Sequence, residues 1–241
     1  MSNILAIVPA AEYLFMTRFA SDEETRYYLK GVAIQPAPGD GAYLVATDGH
    51  AMGVMRLEGD QAAATHAGFI LSADKTLRAA VKCAKREQAW IVCRDDRADI
   101  VRLGASMSPA MYDLAVAPVS LSIPAATAYI DGTFPDWRRV LPPTITGKRE
   151  GHHDTGVEYC AAVRPDLLAR FQCEDKPVSF DWSGTGAMMI DNGDERFIGV
   201  VMPHGNGRTM ADIAARRDHV VLTYAAEPET AAETVGETAA A

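Results

Sequence analysis

The stretch "AYLVATDGHAMGVMRL" (residues 42–57) decides the fold, because two largely apolar runs meet in it at a Thr-Asp-Gly-His turn. Runs of this length bounded by turn residues predict two short strands, and Asp-Gly is a frequent hairpin turn. Asp48 and His50 are also compatible with a catalytic pair or a metal site. The sequence places no nucleophile beside them, and turn chemistry already accounts for Asp-Gly. We therefore predict a hairpin.

The segments around this hairpin repeat in a fixed order. Upstream, "VPAAEYLFMTRFAS" predicts a helix entered through Pro9, and "RYYLKGVAIQP" (26–36) predicts a strand. Strand, helix and short strands return from Phe69, with the helix at 73–86, and a shorter version starts at Val157 with a helix from Pro165. This recurrence predicts an α+β fold of about three repeats, each a helix packed on antiparallel strands.

The repeats suggest three regions along the chain. Residues 1–142 contain two repeats and are expected to form a complete domain, whereas 143–207 contain one repeat and are expected to form a partial domain. Residues 208–241 are expected to be a C-terminal extension. From about residue 226 this extension is acidic and poor in large apolar side chains, which predicts a disordered tail.

Composition limits the function classes. The 241 residues are 48% hydrophobic and carry a formal net charge of -9, so the molecule as a whole is not expected to cling to phosphate or to anionic lipid. The four cysteines form no CxxC pair and are expected to be free thiols in a reducing compartment. With no apolar run near 18 residues and no basic signal region at the N-terminus, we predict a cytoplasmic protein without membrane contact.

The second predicted helix is rich in cations, although the chain as a whole has a negative net charge. Leu77, Ala80, Val81 and Ala84 form its apolar stripe, and its five cations have no acidic residue between them. A solvated helix face would explain this pattern, and so would a surface that follows the phosphates of double-stranded DNA without reading bases. With cations of the first and third helices, the candidate DNA-facing residues are Arg18, Lys75, Arg78, Lys82, Lys85, Arg86, Arg164 and Arg170.

Two further motifs are weak indications of chemistry. The "GHHD" stretch (151–154) offers possible metal ligands, but adjacent histidines do not readily point at one ion. The "GTG" stretch (184–186) is followed by neither a helix nor Lys-Ser/Thr, so it is a hairpin turn rather than a phosphate loop. We therefore predict no catalytic residues, metal or cofactor.

Three stretches together resemble the bacterial DNA polymerase III beta subunit, the sliding clamp. "RYYLKGVAI" followed by "LVATDGHAM" resembles its middle domain, and "IDGTFPDWRRVLP" (130–142) resembles the end of that domain. "FIGVVMP" (197–203) resembles the strand that ends the bacterial clamp. The resemblance covers about 1–142 as a whole domain and about 155–203 as the later half of the family's last domain.

The resemblance implies that the Asp-Gly-His turn belongs to a peptide-binding pocket rather than to a catalytic site. In the family this pocket captures short motifs of polymerases, of the clamp loader and of repair proteins. A cleft that buries two or three side chains of an extended peptide suits this role, and flexible methionines suit many partners. The pocket residues implied here are Thr47, Gly49, His50, Met52, Pro135, Arg139, Val140, Val200, Met202 and Pro203.

The chain also differs from the family pattern. Ala51 stands where the family usually has arginine, and "HGN" follows Pro203 in place of the usual Met-Arg-Leu. We expect this sequence to hold no counterpart of the family's first domain or of the front half of its last domain. We therefore expect any self-association to differ from the family's two-chain ring, with a monomer or dimer ranked ahead of a larger closed ring.

The resemblance implies a non-catalytic DNA-tethering and processivity factor of DNA replication. Its expected partners are double-stranded DNA, bound through the backbone, and peptides of polymerase and clamp-loader type. The alternative is a clamp-derived binding module, of phage or mobile-element type, that competes for the same peptides without encircling DNA.

Overall fold

A computed structural model describes residues 3–59, 61–64, 68–82, 87–104, 117–141, 163–173, 176–182 and 187–202. All of these residues lie in one compact unit, Met1–Thr146 together with Val163–Pro203. The second unit, Gly147–Ala162 with His204–Ala241, falls outside the described residues, as do "GHHD" and the predicted tail.

The unit consists of thirteen described strands and four short α-helices. The strands are β1 (Ile4–Pro9), β2 (Gly31–Pro36), β3 (Ala42–Thr47), β4 (Ala51–Leu57), β5 (Ala63–Ala64), β6 (Phe69–Ser72), β7 (Glu87–Arg94), β8 (Arg97–Gly104), β9 (Val119–Pro124), β10 (Tyr129–Ile130), β11 (Ser179–Trp182), β12 (Met188–Asp191) and β13 (Phe197–Val201). The helices are α1 (Ala10–Met16), α2 (Lys75–Val81), α3 (Ala125–Ala128) and α4 (Pro165–Ala169), and 3-10 turns lie at Thr17–Phe19, Glu24–Leu29 and Trp137–Arg139.

The first two repeats interlock through their first strands. The first repeat runs β1-α1-β2-β3-β4 and the second runs β6-α2-β7-β8-β9. Strand β1 pairs with β7 of the second repeat, and β6 pairs with β2 of the first, all antiparallel. Each sheet therefore contains strands of both repeats, so the two repeats pack as a single domain-sized unit with shared sheets. The predicted α+β fold of helices on antiparallel strands is confirmed.

The third repeat extends the larger sheet. Strand β13 pairs antiparallel with β4, and the sheet order becomes β10-β6-β2-β3-β4-β13-β12-β11. The smaller sheet has the order β5-β1-β7-β8-β9. Strands β4 and β13 thus join residues before 60 to residues after 196 across one continuous ladder.

The predicted helix at 73–86 is wrong at its C-terminal end. Asp74 caps α2 by accepting a hydrogen bond from the Leu77 N–H at 2.8 Å, as a helix start requires. At the other end Lys82 leaves the helical conformation, with ψ 127°. The Arg102 side chain donates to the carbonyls of Ala80 and Lys82, which satisfies the last turn from a neighbouring strand. Lys85 and Arg86 lie outside the described residues.

Other boundaries also differ from the sequence prediction. The predicted strand at 26–36 starts only at Gly31, because Arg26 kinks the chain (φ -112°, ψ 48°) within the preceding 3-10 turns. The turns bury Leu29 while Tyr27 remains exposed. The sequence does not predict strands β1 and β9.

The core lies between the sheets and the helices. Tyr13, Met16 and Phe19 from the first helical segment and Leu77 from α2 are fully buried. In the part of the chain that the structure describes, no helix has the length and hydrophobicity that a membrane span requires.

Candidate functional site

The seam between β4 and β13 gathers predicted pocket residues that are far apart in sequence. Val200 is the cross-strand partner of Met52, and Val201 is the partner of Ala51. Beyond the last ladder pair, the Met202 N–H donates to the carbonyl oxygen of His50 at 2.8 Å. The end of β13 is therefore held directly against the Thr-Asp-Gly-His turn.

That turn is fixed by its own side chains. One carboxylate oxygen of Asp48 accepts from the backbone N–H groups of His50 and Ala51, both at 2.8 Å. The Thr47 hydroxyl donates to the Ala51 carbonyl and accepts from the Gly49 N–H. Gly49 has a φ of 89°, which a residue with a side chain adopts only with strain. Asp48 therefore has a structural role in the turn, as predicted for a hairpin.

The second carboxylate oxygen of Asp48 reaches the third repeat. It accepts from the Arg170 guanidinium at 2.6 Å, and both side chains are mostly buried. Burial raises the pKa of Asp48, but the backbone hydrogen bonds from Ala51 and His50 and the bond from Arg170 outweigh it and hold the pKa below its usual value. The turn and the residue that follows α4 are thus joined by an ion pair across 122 positions of sequence.

One face of the seam is covered by the segment that follows β10. Met52 and Val200 pack in a cluster with Trp137, which is 5% exposed. The Trp137 indole donates to the Gln35 side-chain oxygen at 3.1 Å, and the Arg138 guanidinium lies 4.3 Å from the centre of the indole ring. The segment 134–141 is thereby anchored on the same face as the two predicted pocket residues.

Exposure divides the predicted pocket residues into two groups. Met52 and Val200 are buried because Trp137 packs against them. They therefore lie beneath the surface of the β4–β13 seam and do not line an open cleft. Val140 and Met202 are 43% and 45% exposed, so they offer apolar surface to a ligand. His50, Pro135 and Arg139 are exposed as well, with Arg139 paired to Asp136 at 3.2 Å. Pro203 lies outside the described residues.

The opposite face of the seam is built around two facing glycines. Gly53 and Gly199 are cross-strand partners, and an added Cβ at Gly199 would lie 2.5 Å from the Phe171 ring. At Gly53 an added Cβ would lie 2.8 Å from the Phe19 ring. Aromatic rings of the first and third repeats therefore meet here in close edge and tilted contacts, namely Phe15, Phe19, Phe171 and Phe197.

A cleft with a volume of about 340 Å³ gathers predicted cations of all three repeats. Arg18, Lys75, Arg78 and Arg170 line it together with Lys30, and the carboxylates that line it are Asp22 and Asp74. The Arg18 guanidinium donates to the Gln172 carbonyl at 2.7 Å, which holds the third repeat against the first beside the cleft.

The remaining predicted cations have different surroundings. Lys82 follows α2, is exposed and does not line the cleft. Arg164 forms an exposed ion pair with Asp166 at 2.6 Å, which lowers the pKa of the Asp166 carboxyl through the hydrogen bond from Arg164. One guanidinium nitrogen of Arg170 forms the ion pair with Asp48. The eight candidates are therefore not equivalent: those that line the cleft form one group.

Sequence reasoning missed the residues that support the site. Within "FPDWRRV" the sequence predicts Pro135, Arg139 and Val140 as site residues, but not Trp137 and Arg138, which anchor the segment. A tryptophan within an otherwise polar loop segment is a signal for an anchored segment, since its large ring is usually buried against a core. Gln35, which accepts from that ring, carries no such signal.

Comparison with known proteins finds a partial match in sequence and a match in fold. No family model matches the chain. The beta sliding clamp of Caulobacter vibrioides is 30% identical over 130 residues, which cover 52% of this chain and 30% of that protein. The chain therefore spans less than a third of the length of this curated relative.

Solved sliding clamps share the fold. The DNA polymerase III subunit beta of Bartonella birtlesii, bound to griselimycin, aligns over 85% of this chain and 66% of its own with a TM-score of 0.52 and 19% identity. The beta chain of Streptococcus pneumoniae gives 0.55 with 14% identity over the same shares, and the beta subunit of Thermotoga maritima gives 0.53 with 16% identity. In fold and in part of its sequence, this chain is similar to the bacterial DNA polymerase III beta subunits.

Proposed function

We propose that this chain tethers replication proteins to DNA as a sliding-clamp-like factor, and that it docks their peptides at the β4–β13 seam. The observation that carries the proposal is the meeting of Met52, Trp137 and Val200 in one cluster beside the His50–Met202 hydrogen bond. These residues come from three distant segments, and the resemblance to sliding clamps assigns each of those segments to one peptide pocket. No catalytic role is proposed.

The seam has the physical character that peptide docking needs. Val140 and Met202 offer exposed apolar surface next to a rigid floor, and the His50 and Arg139 side chains offer polar groups nearby. A short peptide that buries two or three side chains there would bind with a Kd of roughly micromolar order, because it must be ordered on docking. Ala51 is buried and stands where the family usually has arginine, so a peptide would lack that contact here. We therefore expect binding weaker than that of a typical bacterial clamp.

The decisive experiment is calorimetric titration with a synthetic peptide of the clamp-binding type. Met202→Asp should abolish binding, because it sets an unpaired charge against an apolar partner. Leu121→Asp is the matched control, since Leu121 is 47% exposed on the other sheet and should leave the affinity unchanged. Equal affinity of the parent and Met202→Asp would refute the docking site. Griselimycin, which the clamp of Bartonella birtlesii binds, is a second probe.

The DNA-tethering half of the proposal rests on the cations brought together by α1, α2 and the segment after α4. Backbone contacts predict binding that is independent of base sequence and that weakens steeply with salt. Fluorescence anisotropy with two unrelated duplexes measures both properties. Different affinities for the two duplexes, or an affinity that is insensitive to salt, would refute backbone tethering.

Two measurements separate the proposed function from the alternative, a module that does not encircle DNA. Light scattering gives the number of chains in the assembly, and retention on circular DNA shows whether the assembly encloses the duplex. A closed assembly is expected to remain on circular DNA and to slide off after linearisation. A monomer that binds the peptide but not circular DNA would favour the alternative module.

A further inference from the structure

We infer that the cleft between α2 and the residues following α1 and α4 is a discrete site for one phosphate group. A discrete site differs from an evenly charged surface because its position, and not only its charge, determines binding. The inference deepens the proposed tethering function and rests on it for the natural ligand, a phosphodiester of the DNA backbone.

The size of the cleft is appropriate. Its volume is about 340 Å³, and a water molecule takes roughly 30 Å³ in the liquid. The cleft is therefore large enough to hold one phosphate group.

The charge of the cleft matches a phosphodiester. Five lining cations and two lining carboxylates give a formal charge of 5 − 2 = +3. Glu24 pairs with Lys30 and Asp48 pairs with Arg170, so counting these two partners leaves +1. A phosphodiester carries one negative charge, so its binding neutralises the cleft.

The donors that remain available are well placed. Lys75 and Arg78 form no ion pair with any described carboxylate, and the Arg18 guanidinium, which donates through one nitrogen to the Gln172 carbonyl, keeps further N–H groups to donate. Ser21 and Ser72 line the cleft and are buried, and each hydroxyl oxygen accepts a backbone hydrogen bond. Their own O–H groups can therefore donate to an anion, and buried donors gain most from such a partner.

The site also joins segments that are distant in sequence. Arg18 follows α1, Lys75 and Arg78 lie on α2, and Arg170 follows α4. A phosphate bound among them adds contacts between the third repeat and the first two. Anion binding should therefore raise the unfolding temperature, since a ligand of the folded state stabilises it by mass action.

The test compares two single charge removals, one on α2 and one at the residue that follows it. Arg78→Gln removes a cation that lines the cleft, whereas Lys82→Gln removes an exposed cation that does not. Duplex DNA should bind about tenfold more weakly to Arg78→Gln, the loss expected for one charge-assisted hydrogen bond, and at most about twofold more weakly to Lys82→Gln. Lys75→Gln repeats the test with an exposed residue whose replacement leaves the core untouched.

Inorganic phosphate, without DNA, separates the two sources of the ligand. At constant ionic strength, phosphate should raise the unfolding temperature of the full chain relative to chloride, and Arg78→Gln should lose that effect. If phosphate stabilises the chain but DNA does not bind, the site stands with free phosphate as its ligand and the tethering function fails. If DNA binds and Arg78→Gln and Lys82→Gln lose the same affinity, or if phosphate has no effect, the discrete site is overturned while tethering stands.

Discussion

Strands β4 and β9 are the last strands of the first and second repeats, yet their outer edges differ. Strand β4 is paired along its length by β13, and only Arg56 among its residues is exposed. Strand β9 is the edge of its sheet within the described residues, and Val119 and Leu121 are each 47% exposed. Equivalent positions in a repeat thus have opposite surroundings, because the third repeat covers one edge and not the other.

The two sequences reflect this difference only in part. Strand β4 reads AMGVMRL, which is almost continuously apolar, as expected for a strand covered on both faces. Strand β9 reads VSLSIP, an alternation that predicts one covered face, yet only Ile123 is buried and both Val119 and Leu121 are exposed. The two glycines at the β4–β13 seam leave room for the phenylalanine rings. The continuous apolar pattern of β4 therefore agrees with its burial, whereas the alternation of β9 does not reveal that its apolar side chains are exposed.

The largest effect is expected at the covered edge. Gly199→Val should reduce the free energy of unfolding by about 3 kcal/mol, because its side chain would overlap the buried Phe171 ring. Urea denaturation measures the change. Gly104→Val is the matched control: it lies at the end of β8 with open space around its Cβ, and it should change stability by at most about 0.5 kcal/mol. Similar losses in both variants would show that the seam is not tightly packed.

The next effect concerns the ion pair that holds the turn beside β4. Asp48→Asn should cost about 2–3 kcal/mol, because it leaves the mostly buried Arg170 guanidinium without its charged partner. It should also weaken the docking of peptides, since the carboxylate shapes the turn around His50. Asp166→Asn is the control, because Asp166 forms an exposed ion pair. A loss for Asp166→Asn as large as that for Asp48→Asn would contradict the structural role of Asp48.

The same pair predicts a pH dependence of stability. The pKa of Asp48 is lowered in the folded protein, so its contribution to stability is present above the unfolded pKa, near 3.8, and is lost as the pH falls through the folded pKa. The difference in unfolding free energy between the parent and Asp48→Asn should therefore shrink below about pH 4. Chemical denaturation from pH 3 to 7 measures it. A constant difference over this range would mean that the carboxylate is not stabilised as the hydrogen bonds indicate.

The smallest effect is expected at the open edge. Leu121→Lys should change stability by no more than about 0.5 kcal/mol, because the residue is half exposed and Lys is common on solvated edge strands. Thermal unfolding of this variant and of the parent decides the point. A loss above about 1 kcal/mol would show that the β9 edge is covered in solution.

The sequence predicted the repeats, the hairpin and most strands of the third repeat, because each leaves a local pattern of apolar residues. It also predicted the turn residues of the site, since Asp-Gly has a local chemistry. It did not predict the end of α2, which depends on the Arg102 side chain from another strand. Nor did it predict that Trp137 would cover Met52, or that Arg170 would be committed to Asp48. Such contacts depend on tertiary structure and produce no periodic pattern in the sequence.

The pairing of β4 with β13 also imposes an order on synthesis. Leu57 ends β4 and Phe197 begins β13, so about 140 residues must be translated between them. At about 5–20 residues per second, the β4 edge waits roughly 7–30 s for its partner. During that interval the nascent chain presents an almost uncharged, apolar edge strand, the kind of segment that pairs readily with other chains. Yield from expression should therefore depend on chaperones that hold the chain until β13 emerges.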